Sequence, residues 1–290
     1  MKSILNQDEV PGMSALQSLE PGNHRLACPA CGRGPKDKTF GVTVQHDGAA
    51  VGHCHRCHYV ENYWPDRGPT YRPGRAVSRA VATIKRETLS EYGIELFDAC
   101  TGLRGTVGEQ YLLARGCVVP PYDGALRFHP ALAHPASDHI GPALVALVTH
   151  AETNAPLTLH RTWVRDDGSK ADCDPPRMLL GGHRKAGGVI RLWPDEAVTV
   201  GLGIAEGIET ALSLAHAYKP VWACIDASNL AAMQVLAGVE SLVIAADHDA
   251  AGIAATETCA TRWAGAGREV FVVMPDVERA DLNDLMQVAA

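Results

Sequence analysis

The 290-residue sequence carries 46% hydrophobic but only 6% aromatic residues, enough apolar surface for one sizeable core or two modest ones. Its formal charge of −7 argues against a nucleic-acid binder only until it is divided along the chain: residues 201–290 hold 12 Asp/Glu against 4 Lys/Arg, whereas the first 200 are balanced at 21 against 22. The opening MKSILNQDEVPGMSALQ has no apolar h-region and no stretch approaches bilayer length, so a cytoplasmic protein without membrane contact is expected. Nine cysteines, four of them in two CxxC pairs, fit a reducing compartment and a metal site better than a disulfide framework.

The first predicted element is built on those pairs. CPACGRG and CHRCHY supply Cys28, Cys31, Cys54 and Cys57 in the spacing C-x2-C-x22-C-x2-C. Two such knuckles aim four thiolates at one tetrahedral Zn²⁺, and a closed four-sulfur shell makes the ion structural. Between them, TFGVTVQHDGAAVGHC alternates apolar and polar residues about an HDG turn and predicts a β-hairpin, so residues 1–66 read as a zinc ribbon. His53, His55 and His58 crowd the second knuckle and compete as ligands, although the all-cysteine set is the expectation. Arg33, Lys36 and Arg56, with Arg25 and Lys38, give the ribbon a surface suited to phosphate; a small stapled domain with no specific surface role fits the same residues.

Residues 67–87 are rich in Pro, Gly and Arg without periodicity and read as a basic linker, either solvated or able to follow a phosphate backbone. From 88 to 196 a mixed α+β segment is expected. ETLSEYGIELF and GEQYLLARG have helical spacing, the second closing at Gly116. ALRFHP, PALVALVTH, PLTLHRTWV and GGVIRLWP then read as strands of a twisted antiparallel sheet. Arg127, Arg161, Arg177, Lys185 and Arg191 recur through it as candidate contacts to a nucleotide or to DNA. The loop PPRMLLGGHRKAGG is either a cradle for a triphosphate or nucleic-acid backbone or a long solvated loop.

From 197 to 290 strand and helix alternate: AVTVGLGIAEG, helix 208–218, PVWACID, helix 228–237, SLVIAAD, helix 250–265, EVFVVMP. This order predicts a parallel sheet covered by helices on both faces, giving an α/β fold whose functional residues sit at the carboxyl ends of the strands. Glu206, Asp226, Asp247 and Asp249 fall there, with Asp276, Asp281 and Asp284 after the last strand. Asp226, ahead of Ala-Ser-Asn, reads as a helix cap. For the others, two like charges ~4 Å apart repel by about 4 kcal/mol at an effective dielectric of 20, so a cluster of carboxylates calls for a cation. Hard oxygens without sulfur point to Mg²⁺ or Mn²⁺ and to phosphoryl chemistry.

IAEGIETALS followed by IAADHDAAG closely resembles the Toprim domain, with its Glu-Gly motif and its Asp-x-Asp motif followed by glycine; ADLNDL resembles the further acidic stretch of primase-type members. The order of ribbon, basic middle segment and Toprim-like segment resembles the bacterial primase plan, above all that of compact phage and plasmid primases. The resemblance is specific over 28–57 and 204–252 and loose between. It implies that Glu206 is a general acid/base or metal ligand and that Asp247 and Asp249 are metal ligands. Asp281 and Asp284 would be accessory ligands and Glu209 a supporting group, with Gly207 and Gly252 permitting tight strand-to-helix turns. The activity implied is template-directed synthesis of short RNA on single-stranded DNA from ribonucleoside triphosphates, with the ribbon binding the template. No helicase segment follows ADLNDL, so a replicative helicase would act in trans. The alternatives are a Toprim nuclease, which needs the same metal site, and a non-catalytic recombination-mediator scaffold, which has little use for the full acidic set.

Overall fold

A computed structural model describes residues 16, 19–30, 38–56, 59–65, 85–121 and 124–289. The chain divides into two compact units, Met1–Arg79 and Ala80–Ala290.

In the first unit, β1 (Gly22–Leu26), β2 (Phe40–Val44), β3 (Ala50–Cys54) and β4 (Val60–Tyr63) form an antiparallel sheet in chain order. The β2–β3 hairpin pairs Phe40 with Cys54 and Val44 with Ala50. Its turn is the expected HDG: the Asp47 carboxylate accepts from Ala49 N at 3.0 Å, and Gly48 takes φ +80°, a region that favours glycine. Strand alternation turns Phe40, Val42, Val44, Ala50 and Cys54 to one side, where they bury with Leu16 and Cys28.

The second unit opens with α1 (Glu91–Asp98), capped by Ser90, and α2 (Val107–Ala114), capped by Thr106, and Gly116 follows α2 at φ +66°. Then β5 (Leu126–Ala133), β6 (Ile140–His150), β7 (Pro156–Trp163) and β8 (Arg177–Leu179) form an antiparallel sheet, with β9 (Gly188–Val189) paired to the far end of β6. GGVIRLWP therefore yields only a two-residue strand. Ile190 instead exchanges backbone hydrogen bonds with Ala223 of the next sheet, at 2.8 and 3.0 Å.

That next sheet is wholly parallel: β10 (Gly201–Ala205), β11 (Val221–Ala223), β12 (Ser241–Ala245) and β13 (Glu269–Val273), in the order β11-β10-β12-β13. Its strands are apolar on both faces, as a sheet covered on both sides requires. Ala205, Val221, Ala223, Val243 and Ala245 pack with α3 (Ile208–Leu214) and with the core of the antiparallel sheet. Leu202, Ile204, Trp222, Leu242 and Ile244 pack with α4 (Ala227–Ala232) and α5 (Ala250–Gly265). The last helix, α6 (Leu282–Ala289), lies against α3. Two helices are shorter than their sequence patterns. α3 stops before Lys219-Pro220, and α4 stops where Arg262 Nη1 takes the carbonyls of Ala231 and Met233 at 2.6 and 3.0 Å, an external cap. No described helix is long and apolar enough to cross a membrane.

Candidate active site at the carboxyl edge of the parallel sheet

Glu206 is the first residue after β10 and Asp247 the second after β12. The two strands are neighbours paired Ala205 to Ala245, so both acids leave the sheet side by side. Each is half-buried. Burial, reinforced by Asp247, Asp226 and Asp249, pushes the Glu206 carboxyl up to about 7, with Arg177 pulling the other way. Burial, with Asp281 and Asp249, likewise lifts Asp247 to about 6 against the pull of Arg177. Asp247 Oδ1 is buried with no hydrogen-bond partner. A raised, orphaned carboxylate beside a second one is a donor set short of a cation.

The other acids have work inside the fold. Asp249 caps α5, its Oδ1 accepting from Ala251 N at 3.0 Å and Gly252 N at 2.9 Å. Asp226 caps α4 through Asn229 N and pairs with Lys185 Nζ at 2.6 Å. Asp281 and Asp284 form a reciprocal box at the start of α6: Asp281 Oδ1 accepts from Asn283 N and Asp284 N, while Asp284 Oδ2 accepts from Asp281 N at 3.1 Å. Among the described residues no group of three His, Cys, Asp or Glu side chains is placed to hold a metal. Magnesium does not need three: it is commonly held by one or two carboxylates, with waters and substrate phosphates completing the octahedron. Glu206 and Asp247 fit that requirement.

The two motif glycines differ. A Cβ on Gly252 would lie 2.5 Å from the Asp247 carbonyl oxygen, so α5 starts against the backbone of the acid it follows. Gly252→Ala is expected to displace Asp247 and cost about 1–3 kcal/mol, read as a lower urea midpoint together with weaker Mn²⁺ binding. An unchanged midpoint would show that the contact is slack. Gly207 has an ordinary φ of −100°, and a Cβ there would meet only Thr210 Oγ1, at 3.6 Å, so the turn itself does not require glycine.

The candidate basic residues separate as sharply. Arg177 on β8 is exposed and its side chain has no hydrogen bond or ion pair among the described residues; its charge reaches Glu206, Asp247 and Glu209. Lys185 is tied to Asp226, and Asn229 holds the same loop through Lys185 O and Gly187 N. Arg127 stacks on Phe97 at 4.1 Å and lies 3.9 Å from Asp98. Arg161 is only 5% exposed and donates to Leu179 O at 3.0 Å. Arg191 is 6% exposed and bonded to Asp195, Thr149 and Ala151 O. The last two guanidiniums are struts between strands and loops.

Behind the acids lies a cluster the sequence pattern had not assembled. Glu209, in the first turn of α3, accepts from Tyr111 Oη at 2.7 Å, and Lys170 Nζ sits 3.6 Å from the same oxygen. Burial drives His160 down to about 4, helped by Arg177. Asn283, fully buried, donates to Arg115 O at 2.8 Å and Ser213 Oγ at 3.1 Å, pinning α6 to α3.

In the first unit Cys28 and Cys54 are buried, and Arg56 N donates to Cys54 Sγ at 3.4 Å, the outer hydrogen bond that metal-ligating groups commonly carry. Arg56 is exposed. Cys31, Cys57, Arg33 and Lys36, and residues 67–84 of the basic linker called over 67–87, lie outside the described residues.

Parallel strands ending in carboxylates, with helices on both faces, define an α/β domain whose acids gather at one edge of the sheet. Residues 201–290 match the family model described as Toprim domain, so the chain carries a Toprim domain; residues 87–192 match a domain of unknown function (DUF7146). No curated protein matches the sequence. Among solved structures, the chain is similar to a DNA primase domain from Pseudomonas aeruginosa, at 12% identity and TM-score 0.44 over 68% of this chain and 74% of that one. It is also similar to the primase fragment of the bacteriophage T7 primase-helicase protein, at 17% identity and TM-score 0.42 over 92% and 95%. The Aquifex aeolicus primase (zinc binding and RNA polymerase domains) shares 13% identity at TM-score 0.43 over 92% and 76%.

Proposed function

We propose that this chain is a DNA primase, joining ribonucleotides on a single-stranded DNA template. The observation that carries the reading is the pair Glu206 and Asp247, half-buried at adjacent strand ends of a Toprim domain, with an orphaned carboxylate oxygen and with Arg177, unpaired among the described residues, acting on both by its charge. Glu206 and Asp247 would hold Mg²⁺ or Mn²⁺, which would supply charge neutralisation for the triphosphate and the leaving pyrophosphate.

The remaining roles fall to side chains of this chain. In the reaction the 3′-hydroxyl oxygen bonds the α-phosphorus of the incoming nucleotide, the α–β bond breaks and pyrophosphate departs. Glu206 is alternatively the general base that takes the hydroxyl proton, in which case Asp247 anchors the cation. Arg177 grips phosphate from the antiparallel side, and Lys170 and Glu209 set the charge beneath it. Asp249, Asp281 and Asp284 keep the acidic turns in shape through their caps, each with a second oxygen to offer through water. The N-terminal cysteines would close around one structural zinc ion, and exposed Arg56 would meet template phosphates. A replicative helicase is the expected partner.

The test is synthesis. Purified protein with Mg²⁺ or Mn²⁺, ribonucleotides and several single-stranded templates is expected to make short RNA. Metal-dependent cleavage without synthesis would assign the same acids to a nuclease, and binding with neither activity would assign the chain to a scaffold.

A further inference from the structure

Of the fourteen large hydrophobic side chains exposed among the described residues, five fall between 271 and 277, on and just after β13. Phe271 is 54% exposed, Val272 50% and Val277 59%. β13 is an edge strand, since the sheet ends there. α5 covers Val270 from one face, but α6 folds back onto α3 and leaves Phe271 and Val273 open on the other. A flat apolar edge is what soluble proteins ordinarily disguise with charge, proline or a bulge. β13 carries one charge, Glu269 at its start, and neither proline nor bulge through Val273.

The hydrogen-bond phase of the edge is fixed by its inner neighbour. Glu269 N donates to Glu240 O, and Ala246 N donates to Val273 O, so the odd residues of β13 spend their backbone groups on β12. Val270, Val272 and Met274 therefore turn theirs outward. The flanking charges are also unspent. Arg268 and Asp276 make no ion pair among the described residues, and Arg268 Nε is buried without a hydrogen-bond partner.

We infer that β13 pairs antiparallel with β13 of a second copy of this chain, about a two-fold axis through Val272, joining two four-stranded sheets into one of eight. Only a residue-centred axis matches outward groups with outward groups, and this one sets Val272 opposite Val272 and Val270 opposite Met274 as hydrogen-bonded pairs. Phe271 then faces Val273 of the partner subunit as the closer, non-hydrogen-bonded pair, twice over, on the open face. The same register brings Arg268, just before the strand, toward Asp276 of the partner subunit, at the bend just beyond it, at both ends. Moving the axis by one residue along the strand loses both charge pairs, so hydrogen-bond phase and charge select a single register.

The test is the molar mass of the 290-residue chain in solution, by sedimentation equilibrium or light scattering across a concentration series. The expected mass is twice the chain's 30.9 kDa, falling to the single-chain value at low concentration. Val272→Pro removes an outward N–H without touching the β12 ladder and is expected to yield monomer with unchanged circular dichroism. Arg268→Asp and Asp276→Arg alone are each expected to weaken association at least tenfold, and the double exchange to restore it. A monomer at every concentration overturns the inference. So does a dimer indifferent to all these changes, or charge variants that the double exchange fails to rescue. The mass is read without reference to catalysis, so it stands apart from the primase reading.

Discussion

Asp247→Asn is expected to lower metal-dependent nucleotide joining by on the order of 10³-fold, the scale on which loss of one preorganised charge-stabilising group is felt. The amide keeps the shape of the carboxyl but cannot offer an anionic oxygen to a cation. Because the acid is held above its ordinary range by burial and by its acidic neighbours, its removal relieves repulsion in the unliganded protein. The variant should therefore melt at the same temperature as the parent or higher, while Mn²⁺ no longer raises that temperature. Undiminished synthesis would place the reacting centre elsewhere on the chain. A lowered melting point would show that Asp247 serves the fold.

Glu209→Ala should do the opposite, costing stability of about 3 kcal/mol by urea unfolding at neutral pH. The carboxylate is buried between Tyr111 and Lys170, and its loss leaves a hydroxyl without an acceptor and an ammonium without its counter-charge. Burial alone would raise its pKa, but Lys170, Arg177 and the Tyr111 hydrogen bond overcome that and hold it at about 2, below the ordinary 4.5. A folded-state value below the unfolded one means that the contribution is complete above about pH 4.5 and drains away as the pH falls toward 2. The parent should thus lose stability across that window more steeply than the alanine variant. Parallel acid limbs for the two proteins would refute the assignment.

The parallel sheet was legible because its signals are local. The first three strands are short apolar runs closed by an acid, Glu206, Asp226 or Asp247, and the following helix starts within five residues. The hairpin between the cysteine knuckles was legible for the same reason: alternation and an HDG turn are contained in about fifteen residues. What the sequence hides is the destination of long side chains. Arg161 and Arg177 look alike in the string, yet one is spent on Leu179 O and the other has no partner among the described residues. Lys170 and Tyr111 lie 39 and 98 positions from Glu209, and no spacing rule joins them. An aspartate that begins a helix also reads identically as cap and as ligand, and only the hydrogen bonds of Asp249, Asp281 and Asp284 show how much of each carboxylate is already engaged.

The handclasp between Ile190 and Ala223, with one apolar interior running from the antiparallel sheet into α3, has a mechanical consequence. Arg177 rides on the former sheet and Glu206 on the latter, yet no hinge separates them within the second unit. Their mutual distance is a property of the interior packing, so under the proposed function a nucleotide would meet a gap already set by the fold.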